Sequence, residues 1–206
     1  MFTSLRPQGP AHSHTPAHDT WRLRDGTLLT LRPMQAQDGP LLDALLERLS
    51  PRARHNRFHG GVNSRPALLE PLNGSGQVAF VLTAQRFGPI QIVAEARYSV
   101  DGGLEDSAEF ALVVDDRWQR RGLGERAMRA LSNTAAHAGL HWLHGEVLAD
   151  NRAMLGLMQR CHFCCTPDAE DPQLVHAESA LRLPQVPVPA HGWSARLHRM
   201  SGVHRA

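Results

Sequence analysis

One segment, residues 107 to 137, constrains the fold more than any other. "SAEFALVV" is an apolar run with a single glutamate near its head, and it passes through "DDRWQRRGLG" into a helical pattern. In that pattern Leu123, Ala127, Met128, Leu131 and Ala135 form one stripe. A strand that runs through a glycine-spaced turn into an amphipathic helix calls for a mixed fold, with helices packed on a sheet. Apolar residues on both faces of the strand (Phe110, Leu112 and Val114 against Ala111 and Val113) predict a central strand covered on both sides. A carboxylate there, Glu109, is expected to be buried, which is costly without a partner or a purpose.

The rest of the chain supplies the elements around that segment. "WRLRDGTLLTLRP" holds Asp25-Gly26 between two period-two runs and predicts a hairpin. Asp38 is expected to cap a helix with Leu41, Leu42, Leu45, Leu46 and Leu49 at helical spacing, ending at Ser50-Pro51. Short helices are expected over 51–58 and about 65–72, with strands at "QVAFVLTA" and "IQIVAEARYSV" on either side of Gly88-Pro89 and a turn at 101–103. After the glycine helix come the strand "LHWLHGEVLA", a helix from Asn151 to about Cys161, and the strands "FCCT" and "LVHAESALRL". The expected organisation is a flexible tail over 1–19, one α/β (α+β) domain over 20–183 and a second tail over 184–206.

Bulk properties narrow the function. The net charge of +2 over 206 residues argues against a general nucleic-acid binder, and no apolar run has the length of a membrane span. Cys161, Cys164 and Cys165 form no disulfide framework, and the N-terminus has no charged-then-apolar leader, so a reducing, cytoplasmic setting is expected. Neither the cysteine spacing nor the histidines of the first tail match a common metal site, and no metal is expected. Every basic residue other than histidine is arginine. Codon bias explains that, and so would the handling of activated acyl groups, which acylate lysine. Arg52, Arg54, His55 and Arg57 read either as a basic rim or as a solvated helix face.

The turn Gln119-Arg120-Arg121-Gly122-Leu123-Gly124 lies between a strand and a helix, where backbone N–H groups converge on an anion. No Gly-Lys-Ser/Thr follows, so it is not a P-loop, and the full dinucleotide pattern is missing because residue 127 is alanine. The pattern Gln-x-x-Gly-x-Gly after an apolar strand resembles motif A of the GNAT acyltransferases. "EVLADNRAMLGLMQRCHF" resembles that superfamily's next strand, its Asn-headed helix and the following Phe. The resemblance covers about Trp21 to Leu183. It is nearest to the acetyltransferase domains of bacterial protein lysine acetyltransferases, through "LRP", "AEFALVV", "WQ…RGLG" and "GEVL…NRAM".

The resemblance implies a mixed, mostly antiparallel sheet splayed in the middle and flanked by helices, with acetyl-CoA as co-substrate in the opening. Leu112, Val113 and Val114 would meet the pantetheine arm. Gln119, Arg120, Arg121, Gly122, Leu123, Gly124 and Glu125 would hold the pyrophosphate, and Asn151 would reach the pantetheine or phosphate side. Residues 51–73 would wall the acceptor groove. The implied reaction is direct attack of an amine on the thioester, with a protein lysine as first acceptor. The alternatives are a small-molecule amine or a non-catalytic acyl-CoA sensor. The attacking amine must be neutral, yet a free lysine has a pKa of about 10.4, so a base is needed. Glu109 is the first candidate, Glu146 the second and Glu95 a weaker third. Against a catalytic role stands a salt bridge from Glu109 to an arginine such as Arg97. The family tyrosine that protonates the thiolate stands seven residues after the Asn, and here that position is Met158. Tyr98, the only tyrosine, is either a substitute or a core residue; Cys161, water or no dedicated acid are the other options. His162 replaces the usual helix-ending glycine and is expected in the left-handed region.

Overall fold

The computed structural model describes residues 18–58, 76–100 and 106–182. The two expected tails, apart from 18–19 at the end of the first, lie outside the described residues, as do the helix at 65–72 and the turn at 101–103. Eight strands form one sheet: β1 (Asp19–Arg22), β2 (Leu28–Pro33), β3 (Gln77–Gln85), β4 (Gln91–Val100), β5 (Ser107–Val114), β6 (Trp142–Leu148), β7 (Cys164–Pro167) and β8 (Leu174–Ala180). Their order is β1-β2-β3-β4-β5-β6-β8-β7. All neighbours run antiparallel except β5 and β6, which are parallel. The Asp25-Gly26 hairpin forms as expected, with Gly26 at φ 85° and the Asp25 carboxylate accepting from the Thr27 amide at 2.9 Å.

Helices cover both faces. α1 (Gly39–Arg48) and α2 (Pro51–Phe58) lie on one side, where Leu42, Leu45, Leu46 and Ala53 pack with Val81, Ile92 and Val113. α3 (Leu123–His137) and α4 (Arg152–Arg160) lie on the other, in a larger core with Phe80, Leu82, Ala96, Phe110, Leu112, Met128 and Leu131. Asp38 does precede α1, but its side chain makes no cap bond. It takes both Arg32 Nη atoms at 2.7 and 2.6 Å and the Gln35 amide at 2.8 Å. Asp38 ends a short 3-10 turn before α1, and its carboxylate points back to the Gln35 amide and the Arg32 guanidinium, so the expected cap is replaced by a bridge to β2.

The feature that creates a site is the incomplete pairing of β5 with β6. Only Ser107–Trp142, Ala108–Leu143 and Glu109–His144 are in register, although β5 continues to Val114 and β6 to Leu148. Phe110 and Gly145 stand where the strands begin to part. A Cβ on Gly145 would lie 3.0 Å from the Phe110 ring and 3.1 Å from its carbonyl oxygen, so glycine is what lets the strands stay close there before they diverge. The Phe110 ring is in turn held edge-on against Phe163, with centroids 5.2 Å apart.

Candidate active site

A cavity of about 780 Å³ lies against the unpaired half of β5. Leu112, Val113 and Val114 form one side and α2 another, and the starts of α3 and α4 close the end. The turn into α3 is rigidly anchored. Asp115 is fully buried directly after β5, and its amide donates to the Val93 carbonyl at 2.9 Å. Its carboxylate accepts from Arg48 Nε at 3.1 Å, Arg117 Nη2 at 2.9 Å and the Arg117 amide at 3.1 Å. Burial pushes this carboxyl up, and the hydrogen bonds from Arg117 and Arg48 outweigh it, so it is held below the usual carboxylate range.

Beyond Asp115 the backbone turns through two left-handed residues, Arg120 at φ 59° and Gly122 at φ 78°. Gly122 caps α3 with no side chain to bond the first turn. The amides of Leu123, Gly124 and Glu125 have no carbonyl one turn back, and the helix dipole adds positive potential at the same point. At Gly124 an added Cβ would sit 2.9 Å from a Leu157 methyl, so α3 and α4 approach closely where the cavity ends. Bare amides, Arg120 and a closely walled glycine turn fit a diphosphate; the apolar flank of β5 fits a slender arm leading away from it.

Of the residues predicted to bind the cofactor, Leu112, Val113, Val114, Gln119, Arg120, Gly122, Leu123, Gly124, Glu125 and Asn151 all line the cavity. Arg121 is not among them; its guanidinium lies 4.9 Å over the Trp118 ring. The Asn151 carboxamide caps α4, accepting from the Met154 amide at 3.2 Å. Sequence reasoning missed Arg152, Gly156 and Arg160, which share one face of α4 at four-residue spacing, and that spacing was the available signal. Arg52 reaches the Asp150 carboxylate at 3.5 Å and links α2 to the turn before α4.

The catalytic candidates scatter. Glu109 is exposed, so the expected burial does not hold. It occupies the last paired position before the strands part, on the face of Val113, and it does not line the cavity. The two-sided cover inferred from the strand's composition exists over Leu112 and Val113, which pack in the cores on opposite faces, but not at Glu109. The buried carboxylate is Glu95, in register with Val113 on β4 and fully enclosed. It bonds Arg97 Nε and lies 3.5 Å from Arg57 Nη2. Arg97 therefore pairs with Glu95, and Arg57 is a largely enclosed residue with only 11% of its side chain exposed, not part of a solvated face. Burial lowers the Arg57 pKa, and the charge of Glu95 opposes that. Glu146 is exposed on β6. Tyr98 is buried in the α3-side core, and burial raises its phenol pKa. Met158 is fully buried in the same core. Cys161 ends α4, its thiol raised by burial. His162 takes φ 64°, as expected.

Comparison with known proteins agrees with this geometry. The Acetyltransferase (GNAT) family matches residues 76–163, from β3 through α4. The chain is 32% identical over 165 residues to the acetyltransferase PA5475 of Pseudomonas aeruginosa, covering 77% of this chain and 88% of the relative. The chain belongs to the GNAT acetyltransferase family. Its mixed eight-stranded sheet is the GNAT fold: the GNAT domain of S. lividans PAT superimposes with a TM-score of 0.66 at 22% identity, over 84% of this chain and all of that one. The acetyltransferase Pat of Mycolicibacterium smegmatis is 31% identical over 155 residues, 68% of this chain but only 46% of that longer protein. As a GNAT enzyme, the protein is an acetyl-CoA-dependent acetyltransferase. The splayed strands and glycine turn are the parts of the fold that such a co-substrate requires.

Proposed function

We propose that this GNAT domain transfers an acetyl group to a primary amine, foremost a lysine side chain on a protein surface, with Glu109 as general base. The observation that carries the reading is the position of Glu109. It sits at the root of the splay, on an exposed face, at the end of the strand whose other half lines the cleft. An exposed carboxylate can meet the amine of a bulky partner without that partner entering an enclosed pocket. Glu146 stands on the same face of the next strand, two residues beyond the register partner of Glu109.

In this reading Gln119 through Glu125 hold the diphosphate through backbone amides, and Leu112 to Val114 position the arm along β5. A backbone N–H of that strand stabilises the charge that develops on the thioester oxygen. Glu109 removes the ammonium proton, directly or through one water. No dedicated acid is assigned, because Tyr98 and Met158 are both packed in the core. A thiol has an ordinary pKa of about 8.5, so its thiolate leaves readily.

The absence of lysine from the chain makes the test clean, since an acetyl-lysine signal cannot arise from the enzyme itself. Incubation with acetyl-CoA and a mixed panel of lysine peptides, polyamines and amino acids, followed by mass spectrometry, should place the acetyl group on peptide lysine. Transfer confined to the small amines would overturn the protein-acceptor reading.

A further inference from the structure

Beside Glu109 lies a set of charges that the sheet itself does not require. β4 and β5 pair so that Glu95, Arg97 and Ser99 share a face with Val113, Ala111 and Glu109. Glu109 is in register with Ser99. Arg97 is its diagonal neighbour, a separation of roughly 7–8 Å between backbones that a long side chain can span. Arg97 bonds the fully enclosed Glu95, and Arg57 comes from α2 to within 3.5 Å of the same carboxylate. Two guanidiniums and one carboxylate carry one net positive charge. Burial is the main influence on the Arg57 pKa and lowers it; Glu95 raises it, Arg97 lowers it and Glu109 raises it, so the charge of Glu109 reaches this group.

A buried ion cluster contributes little to stability on balance, because desolvation offsets attraction and apolar residues of similar volume do as well or better. Glu95 between two arginines therefore asks for a role besides holding α2 on the sheet, and Glu109 supplies one. Glu109 is exposed in the free protein. A protein acceptor that brings its lysine there takes water from the carboxylate, and desolvation favours the neutral acid, which cannot accept a proton. Fixed positive charge on the neighbouring strand opposes that. Too much of it would weaken the base, and Glu95 offsets one of the two guanidiniums. On the other side of Glu109 stand His144, its register partner on β6, and Glu146, with His176 and Glu178 beyond them on β8.

We propose that Glu95, Arg97 and Arg57 are positioning residues for the base, setting the charge beside Glu109 so that its carboxylate stays ionised under a docked acceptor. This rests on Glu109 being the general base. Two substitutions test it through opposite signs. Arg97→Gln removes positive charge, so the acid limb of kcat against pH, measured with a saturating lysine peptide, should move to higher pH by about half a unit or more. Glu95→Gln removes negative charge and should move the limb to lower pH. A merely structural role scales the profile or moves both variants alike. If Glu95→Gln does not fold, Arg97→Lys, which keeps the charge, should hold the wild-type limb that Arg97→Gln loses. Limbs that stay in place in both variants, or move in the same direction, would overturn the proposal and leave Glu109 as the base. A Glu109→Gln variant with wild-type kcat would instead overturn the base assignment, and this inference with it.

Discussion

Replacing Gly145 with alanine puts a methyl group 3.0–3.1 Å from the Phe110 ring and 3.1 Å from the Phe110 carbonyl oxygen. The ring cannot simply rotate away, because Phe163 holds it edge-on and it is 5% exposed. The carbonyl belongs to β5 and moves only if the strand moves. Overpacking of this kind costs about 1–3 kcal/mol, and the entropy gained on replacing a strand glycine returns roughly 0.5–1 kcal/mol. The net destabilisation is about 1–2 kcal/mol, or about 2–8 °C in Tm for a domain of this size. The strands part just beyond this contact, so the displacement should also change the cleft and weaken acetyl-CoA binding. Calorimetric melting and a CoA titration read the two effects. A Tm and a Kd both equal to wild type would refute the claim that Gly145 sets the separation of β5 and β6.

Other perturbations test the anchoring and the turn. Asp115 and Asp38 are both held below the ordinary carboxylate range, where arginine hydrogen bonds outweigh burial. Their stabilisation is present above the unfolded pKa of about 3.9 and is lost as pH falls through the folded values. Urea midpoints measured from pH 6 down to 2.5 should fall steeply below about pH 4, and a Asp115→Asn variant should show a flatter fall. That variant should also lose about 2–4 kcal/mol at neutral pH, since it leaves Arg48 without its buried partner, as a denaturant melt would show. Gly122→Ala forces a Cβ into the left-handed region, costing about 1–2 kcal/mol, and should weaken CoA binding through the turn rather than the arm. A titration with adenosine 3′,5′-bisphosphate should show the same loss.

Much of this was legible in the residues. The strand at 107–114 and the helices at 51–58 and after Gly122 lie where periodicity and glycine placed them, because alternation and caps are local signals. Ten of the eleven cofactor-site residues that the GNAT resemblance implied line the cleft, Arg121 being the exception, and His162 is left-handed as expected. Glu109 was placed on the right strand with the wrong burial. Composition tells which faces of a strand are apolar, not how far the cover over each face extends along it, and Glu109 is exposed where Val113 on the same face is buried. The same gap hid Glu95, whose enclosure depends on Arg57 arriving from α2, 38 residues earlier in the chain. Arg57 did carry a faint signal, four residues after the buried Ala53 and so on its face. Asp38 looked like a cap because nothing local announced Arg32.

The most direct test is acetyl transfer by Glu109→Gln. With a lysine peptide as acceptor, kcat should fall about 10²- to 10⁴-fold, the range for a lost general base. The Kd for acetyl-CoA should stay at the wild-type value, since Glu109 lies outside the cavity lining. A wild-type kcat in the variant would contradict the account.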